Sequence, residues 1–143
     1  MMLADYAQVA DGKLFISGGG WLFGGPGPIA CGIALLFHVP WQNTNEKTLF
    51  TLRLVNEDGQ PVTQPGQPGD QPIQVGGQFE AGRPAGIAPG TDINVPIAFN
   101  TVLRLVPGQR FTWVLEIESR ADEAWRLSFA TREAQRAPQA PPS

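Results

Sequence analysis

Apolar and polar residues alternate along much of this chain with a period of two residues. The alternation is clearest in four segments, which are Thr48–Val55, Thr91–Asn100, Arg110–Ser119 and Trp125–Ala130. Successive side chains of an extended strand point to opposite faces, so this period indicates strands with one buried and one solvent-facing side. The apolar run Ile29–Val39 lacks the alternation. It predicts a central strand that is covered on both faces or lies at a contact between protomers.

Turn signals separate these segments. Asp11-Gly12 joins a strand around Leu3–Val9 to a second strand at Leu14–Ser17, because Asp-Gly is a strong signal for a tight hairpin. Pro96 has no N–H to give to a sheet, which places its strand at an edge or a bulge. The spacing predicts about eight or nine strands. The expected fold is all-β, a single-domain antiparallel β-sandwich that is immunoglobulin-like or related to that class.

The remaining segments are predicted to lie outside the sheets. Two loops rich in proline and glycine, Gln64–Pro72 and Ala81–Gly90, are expected to run over the surface. The sequence contains no convincing helix, and the best candidate, Arg120–Trp125, is a single turn. We expect the β-sandwich domain to span residues 1–133. Residues 134–143, which are rich in Pro, Ala and Gln, are expected to form a disordered tail.

The charge balance excludes several classes of partner. The 143 residues include 10 Lys and Arg and 13 Asp and Glu, for a net charge of −3. The arginines form no run, so we expect neither nucleic-acid binding nor attachment to an anionic membrane. The N-terminus lacks the basic and apolar regions of a signal peptide, and the longest apolar run is too short to span a bilayer. A cytoplasmic protein is expected.

The stretch SGGGWLFGGPGP (residues 17–28) contains the glycines of a nucleotide-binding loop but not its context. Such a loop needs backbone N–H groups for the phosphates and a helix behind it. Pro26 and Pro28 have no N–H, and a predicted strand follows. We therefore expect no nucleotide here, and the chain as a whole predicts no cofactor.

No set of residues predicts catalysis or metal binding. Cys31 is the single cysteine and is expected to be a small core hydrophobe, while the single histidine, His38, would lie on the opposite face of the same strand. Glu116 and Glu118 are interpreted as solvent-facing charges. Asp5 interrupts a mildly apolar run and is expected to be partly buried, with its carboxylate accepting backbone N–H groups. No metal site and no catalytic residue is predicted.

The candidate interaction residues are aromatic. Trp21, Phe23 and Trp41 lie where predicted strands meet loops, whereas Trp113 and Trp125 fit the core faces of strands. Exposed Trp and Phe supply a large contact area at low entropic cost, which suits a binding site. The alternative is that Trp21 folds back and closes one end of the sandwich. The sequence leaves both open.

Several motifs together resemble an uncharacterised family of small bacterial proteins. They are Leu3–Val9 (LADYAQV), Asp11–Leu14 (DGKL), Gly18–Trp21 (GGGW), Val39–Trp41 (VPW), Leu54–Val62 (LVNEDGQPV) and Pro107-Gly108. The resemblance extends to about Thr131 and implies a stand-alone cytoplasmic domain with no assigned activity. A weaker likeness, to immunoglobulin-like sandwiches, rests on Pro107–Phe111. There Phe111 stands where a tyrosine corner would have tyrosine.

Three functional hypotheses follow. The first is a non-enzymatic binding or assembly module that acts through a protein partner or self-association. The second is a small-ligand-binding protein or enzyme with a pocket at one end of the sandwich, in which Asp5, His38 or Glu116 would be the polar contacts. The third is a structural component of a larger particle.

Overall fold

The computed structural model describes residues 1–64 and 71–134. Within these ranges the fold is all-β, as the alternation predicts, and the helical structure is a short 3-10 turn at Trp41–Asn43. No helix of this part of the chain is long and apolar enough to cross a membrane. The strands are β1 (Met2–Ala4), β2 (Tyr6–Ala10), β3 (Lys13–Ser17), β4 (Phe23–Gly24), β5 (Ile29–Val39), β6 (Lys47–Val55), β7 (Thr63–Gln64), β8 (Gln71–Pro72), β9 (Gln74–Glu80), β10 (Ile93–Leu103), β11 (Arg110–Ile117) and β12 (Arg120–Thr131).

Two mainly antiparallel sheets pack face to face and enclose the core. The first has the strand order β1-β5-β10, and the second has the order β4-β12-β11-β6-β9. Alternate side chains of each sheet meet between them, as Ile33 and Leu35 do from β5 and Leu52 and Trp113 from the second sheet. Removal of these apolar side chains from water is the main favourable term that holds the two sheets together.

Strand β5 is central, as its apolar composition predicts, and its bounds match the predicted ones. Its odd-numbered residues face the second sheet and are buried. Its even-numbered residues lie on the outer face, where the hairpin β2–β3 covers Gly32 but leaves Leu36 and His38 exposed. The outer face of β5 is therefore only partly covered.

The hairpin β2–β3 lies across the outer face of the first sheet. The predicted strand Leu3–Val9 is in fact divided by a bend at Asp5, where the Asp5 N–H donates to the carbonyls of Ser17 and Gly18. Asp11 and Gly12 form the predicted turn, with φ values of 51° and 68°, as a type I′ turn requires. The bend turns Asp5 outward. The prediction of a partly buried carboxylate is wrong, because Asp5 is exposed and its carboxylate accepts no hydrogen bond within the described residues.

Pro96 lies in β10, which is an edge strand, as predicted. The pairing of β10 with β5 continues without a shift through Pro96 opposite Leu36. The missing N–H must therefore point away from β5, toward the unpaired side, where a sheet tolerates proline.

Arg120–Trp125, the best helix candidate of a sequence with no convincing helix, begins strand β12 instead. Glu118 and Ser119 have φ values of 51° and 63° and turn the chain directly from β11 into β12. The polar residues that favoured a helix form a bulge instead. Ala121 pairs with Glu116 and Arg126 with Val114, so the four residues 122–125 oppose the single residue 115. The Asp122 carboxylate accepts the Ala124 N–H at 2.8 Å within this bulge.

The two predicted loops differ from each other. Ala81–Gly90 contains no strand and is exposed apart from Ala81, as predicted. The first loop is different at its ends, because Thr63–Gln64 and Gln71–Pro72 pair as strands β7 and β8. Residues 65–70 of that loop lie outside the described residues. The predicted tail, 134–143, lies outside them from residue 135 onward.

Candidate interaction surface

Trp21 packs against the core. Its ring meets the Phe129 ring edge-on, with centroids 5.7 Å apart and planes at 85°. It is half-buried, and its indole N–H is buried without a hydrogen-bond partner among the described residues. The structure therefore places Trp21 at the end of the sandwich as a closing side chain, and little of it is available to a partner.

Phe23, in contrast to Trp21, is exposed to solvent. It lies in β4 beside Ala130 of β12, and 65% of the side chain is exposed. Residues two apart in a strand share a face, but Trp21 lies before β4 in an irregular link, so the strand period does not apply to it and the two side chains have different environments. Phe23, Trp21 and Asp5 border a shallow groove of about 570 Å³ that is otherwise lined mainly by the glycines of the SGGGWLFGGPGP stretch.

The ring of Trp41 is covered by the side chain of Arg83 from the same chain. The Arg83 guanidinium lies 4.1 Å from the centre of its ring, a cation–π geometry. Arg83 also donates from Nη2 to the Trp41 carbonyl at 3.1 Å and from Nε to Thr44 Oγ1 at 2.6 Å. These contacts tie the loop after β9 to the 3-10 turn. Trp41 is half-buried in this cluster.

The three candidate aromatic residues do not form one surface. Trp21 and Phe23 precede β5, and Trp41 follows it. A strand rises about 3.3 Å per residue, so the ends of β5 are roughly 30 Å apart. The sequence-predicted set is divided between the two ends of the sandwich.

The polar residues of the alternative hypothesis are also dispersed. Asp5 lies at the groove beside Phe23. His38 lies on the outer face of the first sheet, where its Nδ1 donates to Asn94 Oδ1 at 2.6 Å. Glu116 lies on the outer face of the second sheet and accepts two hydrogen bonds from Arg53, at 3.0 and 3.2 Å. The Glu118 carboxylate accepts the Leu49 N–H. The described residues contain no group of His, Cys, Asp and Glu side chains placed to hold a metal ion.

An exposed apolar surface lies on the hairpin β2–β3 and beside it. We call it the hairpin patch, and it consists of Met2, Tyr6, Val9, Phe15, Ile16 and Leu36, each about 39–52% exposed. Met2 and Ile16 both lie over Gly19, since a Cβ built there would be within 2.9 Å of each of their side chains. Met2 is paired with Ala34, which stands two residues from Leu36 on the same face. The patch therefore continues from the hairpin onto the sheet.

The hairpin carries little charge. Strand β2 (YAQVA) has no charged residue, and β3 (KLFIS) has only Lys13. Sequence reasoning missed this surface, although a signal was present. Leu14, Phe15 and Ile16 are three consecutive apolar residues in a strand predicted to belong to a hairpin. Since their side chains point to alternate faces, a two-stranded hairpin must expose some of them.

A side chain of the first sheet, Asn100, forms hydrogen bonds to the backbone of the hairpin. Asn100 of β10 accepts the Ala7 N–H at its Oδ1, at 3.0 Å, and donates from Nδ2 to the Ala7 carbonyl at 2.6 Å. Its amide thus occupies the place of a peptide group from a neighbouring strand. Ala7 itself is buried against Gly32, where a Cβ would meet the hairpin backbone at 3.0 Å. The free edge of β2 is closed by this contact.

The comparisons with known proteins give a family. Neither the curated proteins nor the solved structures contain a match. A family model described as "Family of unknown function (DUF6941)" matches residues 1–130. This agrees with the resemblance to an uncharacterised family, while the motifs named for it, which are most specific in the N-terminal pattern ADYA…DGK…GGGW, and the likeness to immunoglobulin-like sandwiches stay predictions. Because the match covers most of the chain, this protein belongs to that family of unknown function.

Proposed function

We propose that this protein is a non-enzymatic binding or assembly module that acts through protein–protein contact, with the hairpin patch as its contact surface. The observation that supports the proposal is the exposure of both faces of a hairpin whose two strands carry a single charge. The register places Tyr6 and Phe15 on one face of the hairpin and Val9 and Ile16 on the other, and exposed apolar side chains clustered on one element are typical of interaction sites. An isolated two-stranded hairpin is also marginally stable, so covering it would be favourable.

The chemistry of the surface favours a protein as the occupant. A nucleic acid or an anionic membrane would need clustered cations, and Lys13 is the one basic residue of the two strands. A protein chain can cover apolar side chains and can also satisfy the backbone groups along the edge of β3. We propose the cytoplasm as the compartment, on the sequence features given above.

A photo-cross-linking side chain at position 15 tests this proposal in the full chain expressed in cells. We expect a defined cross-linked product from position 15 and none from position 49. Leu49 is a suitable control because it is exposed to a similar extent, 56% against 52% for Phe15, but lies on β6 in the second sheet.

The product from position 15 should be lost when Tyr6→Gln is added. Tyr6 is exposed on the same hairpin, and its loss removes apolar contact area without disturbing the core. The proposal is wrong if positions 15 and 49 give the same products, or if Tyr6→Gln leaves the product unchanged while thermal unfolding shows that the variant is folded.

The groove beside Asp5 favours a second candidate, a small-ligand-binding protein. Its volume of about 570 Å³ is within the range of ligand pockets. Trp21 and Phe23 would supply the apolar contacts, and Asp5 would supply a carboxylate. A thermal-shift screen against cationic and hydroxylated metabolites would then show stabilisation that Asp5→Asn removes. Absence of stabilisation by every compound would count against this function.

A further inference from the structure

We infer that the partner of the hairpin is a second copy of this chain, paired through the free edges of the two β3 strands. This inference rests on the proposed function and specifies its partner. It follows from the hydrogen-bonding pattern of the hairpin, the composition of its edge and the apolar side chains that the hairpin exposes.

The register of the hairpin decides which backbone groups are free. The two-residue turn makes Ala10 and Lys13 a hydrogen-bonded pair, and such pairs alternate along an antiparallel ladder. Leu14 and Ile16 are therefore at non-hydrogen-bonded positions, with their N–H and C=O groups directed away from β2. The same alternation directs the N–H and C=O of Ala7 away from β3, and both meet Asn100.

The two edges of the hairpin therefore differ in whether their backbone groups are hydrogen-bonded. Asn100 closes the edge of β2. On the edge of β3, the backbone groups of Leu14 and Ile16 form no hydrogen bond to any other part of the described chain. Exposed strand edges are templates for pairing, and proteins usually protect them with proline, charge or a bulge. The edge of β10 has Pro96, whereas β3 has neither proline nor a bulge.

The β3 edge is complementary to itself. A two-fold axis at Phe15 places Leu14 opposite Ile16 of the second copy and Ile16 opposite its Leu14, and these pairs exchange four backbone hydrogen bonds. The same axis places Phe15 opposite Phe15 and Lys13 opposite Ser17, so like charges do not face each other. Aromatic residues opposite each other stabilise antiparallel strands.

The apolar side chains of the hairpin add to this contact. Aromatic side chains have about 150–250 Å² of surface, so Tyr6 and Phe15, which share one face of the hairpin and are each about half exposed, offer roughly 200 Å² per copy. Ile16, which is 39% exposed, adds apolar surface on the other face. Pairing of the two edges would therefore bring apolar side chains together on both faces of one four-stranded sheet.

Disulfide trapping tests the pairing and its register in the full chain, in a Cys31→Ala background. We expect Phe15→Cys to form a covalent dimer under mild oxidation, because opposite Cα atoms of a non-hydrogen-bonded pair are about 4.5 Å apart, within disulfide reach. Leu49→Cys, equally exposed on the second sheet, should stay monomeric. A Phe15→Cys yield no greater than that of Leu49→Cys would overturn the inference.

A mixed experiment checks the orientation. Lys13→Cys and Ser17→Cys should cross-link when mixed and not when oxidised alone, since the antiparallel axis pairs position 13 with position 17. Cross-linking of Lys13→Cys with itself would indicate a parallel arrangement and would contradict the inference. If position 15 reacts with a different protein and light scattering finds the parent chain monomeric, the self-pairing is wrong while the proposed protein-binding function stands.

Discussion

The position of Cys31 in the core determines the ionisation of its thiol. It lies on the core-facing side of β5 and is buried. Burial raises the pKa of the Cys31 thiol to about 12, because the charged thiolate cannot be solvated there, and an interaction with the Trp113 indole opposes this slightly. That indole N–H meets no partner of acceptable hydrogen-bond geometry, so we regard the contact as weak. The thiol is neutral and shielded, as the sequence predicts.

The raised pKa has a consequence for stability at alkaline pH. Below about pH 9, Cys31 is neutral in both the folded and the unfolded chain, so stability does not depend on it. As the pH rises from 9.0 toward 12, the unfolded thiol ionises first, and the free energy of unfolding falls. We expect the parent chain to lose more stability than Cys31→Ala between about pH 8 and about pH 11 in urea titrations with reductant. Equal losses in the two chains would contradict the burial of this thiol.

The aromatic residues near position 21 show what sequence leaves open at this scale. Trp113 is buried as predicted because it belongs to a long alternating strand whose core face is fixed by its neighbours. Trp21 precedes β4, a strand of only two residues, and Phe23 is its first residue, so no periodic pattern assigns either of them a face. Their opposite environments depend on the parallel pairing of β4 with the end of β12.

The hairpin β2–β3 is the element whose position most depends on a single side chain. We expect Asn100→Ala to destabilise the chain by about 1–3 kcal/mol, because it leaves the buried N–H and C=O of Ala7 without partners. Chemical denaturation measures the loss. Hydrogen exchange at the Ala7 amide should become faster, since Asn100 is the one acceptor of this N–H within the described part of the chain.

Two further variants make this prediction specific. Asn94→Ala is the control, because Asn94 lies on the same face of β10 but its side chain, among the described residues, hydrogen-bonds only the exposed His38. Asn100→Asp keeps the acceptor and loses the donor, so at neutral pH its carboxylate would face the Ala7 carbonyl. It should regain stability on acidification, when the carboxyl group can donate again. An Ala7 amide that exchanges equally fast in the parent and in Asn100→Ala would refute this role.

At the level of elements, periodicity located the long strands well and the irregular joins poorly. The predicted and observed bounds agree for β5 and nearly agree for β6 and β11. The exception is Arg120–Trp125, whose polar sequence is compatible with a helical turn. The tight turn at Glu118 and Ser119 reverses the chain directly after β11, so these residues pair with β11 as a strand. Tertiary pairing overrides local preference in such segments.

At the scale of the whole molecule, the sandwich separates the polar groups and gathers apolar ones. His38 and Glu116 lie on the outer faces of opposite sheets, with the core between them. In contrast, residues from β1, β2, β3 and β5 meet in the hairpin patch. This distribution favours an interaction surface over a polar pocket, and it is the basis of both the proposed function and the proposed self-pairing.

The sequence by itself determined the all-β class, the central place of β5 and the buried state of Cys31, and it limited the strand of Pro96 to an edge or a bulge. These follow from local rules, because the period of two, an unbroken apolar run and a missing proline N–H act within one strand. The tertiary structure alone decided the bend at Asp5, the folding of the hairpin across the sheet and the closure of β2 by Asn100. Residues 7 and 100 are distant in the chain, and no periodic pattern records which side chain will close which edge.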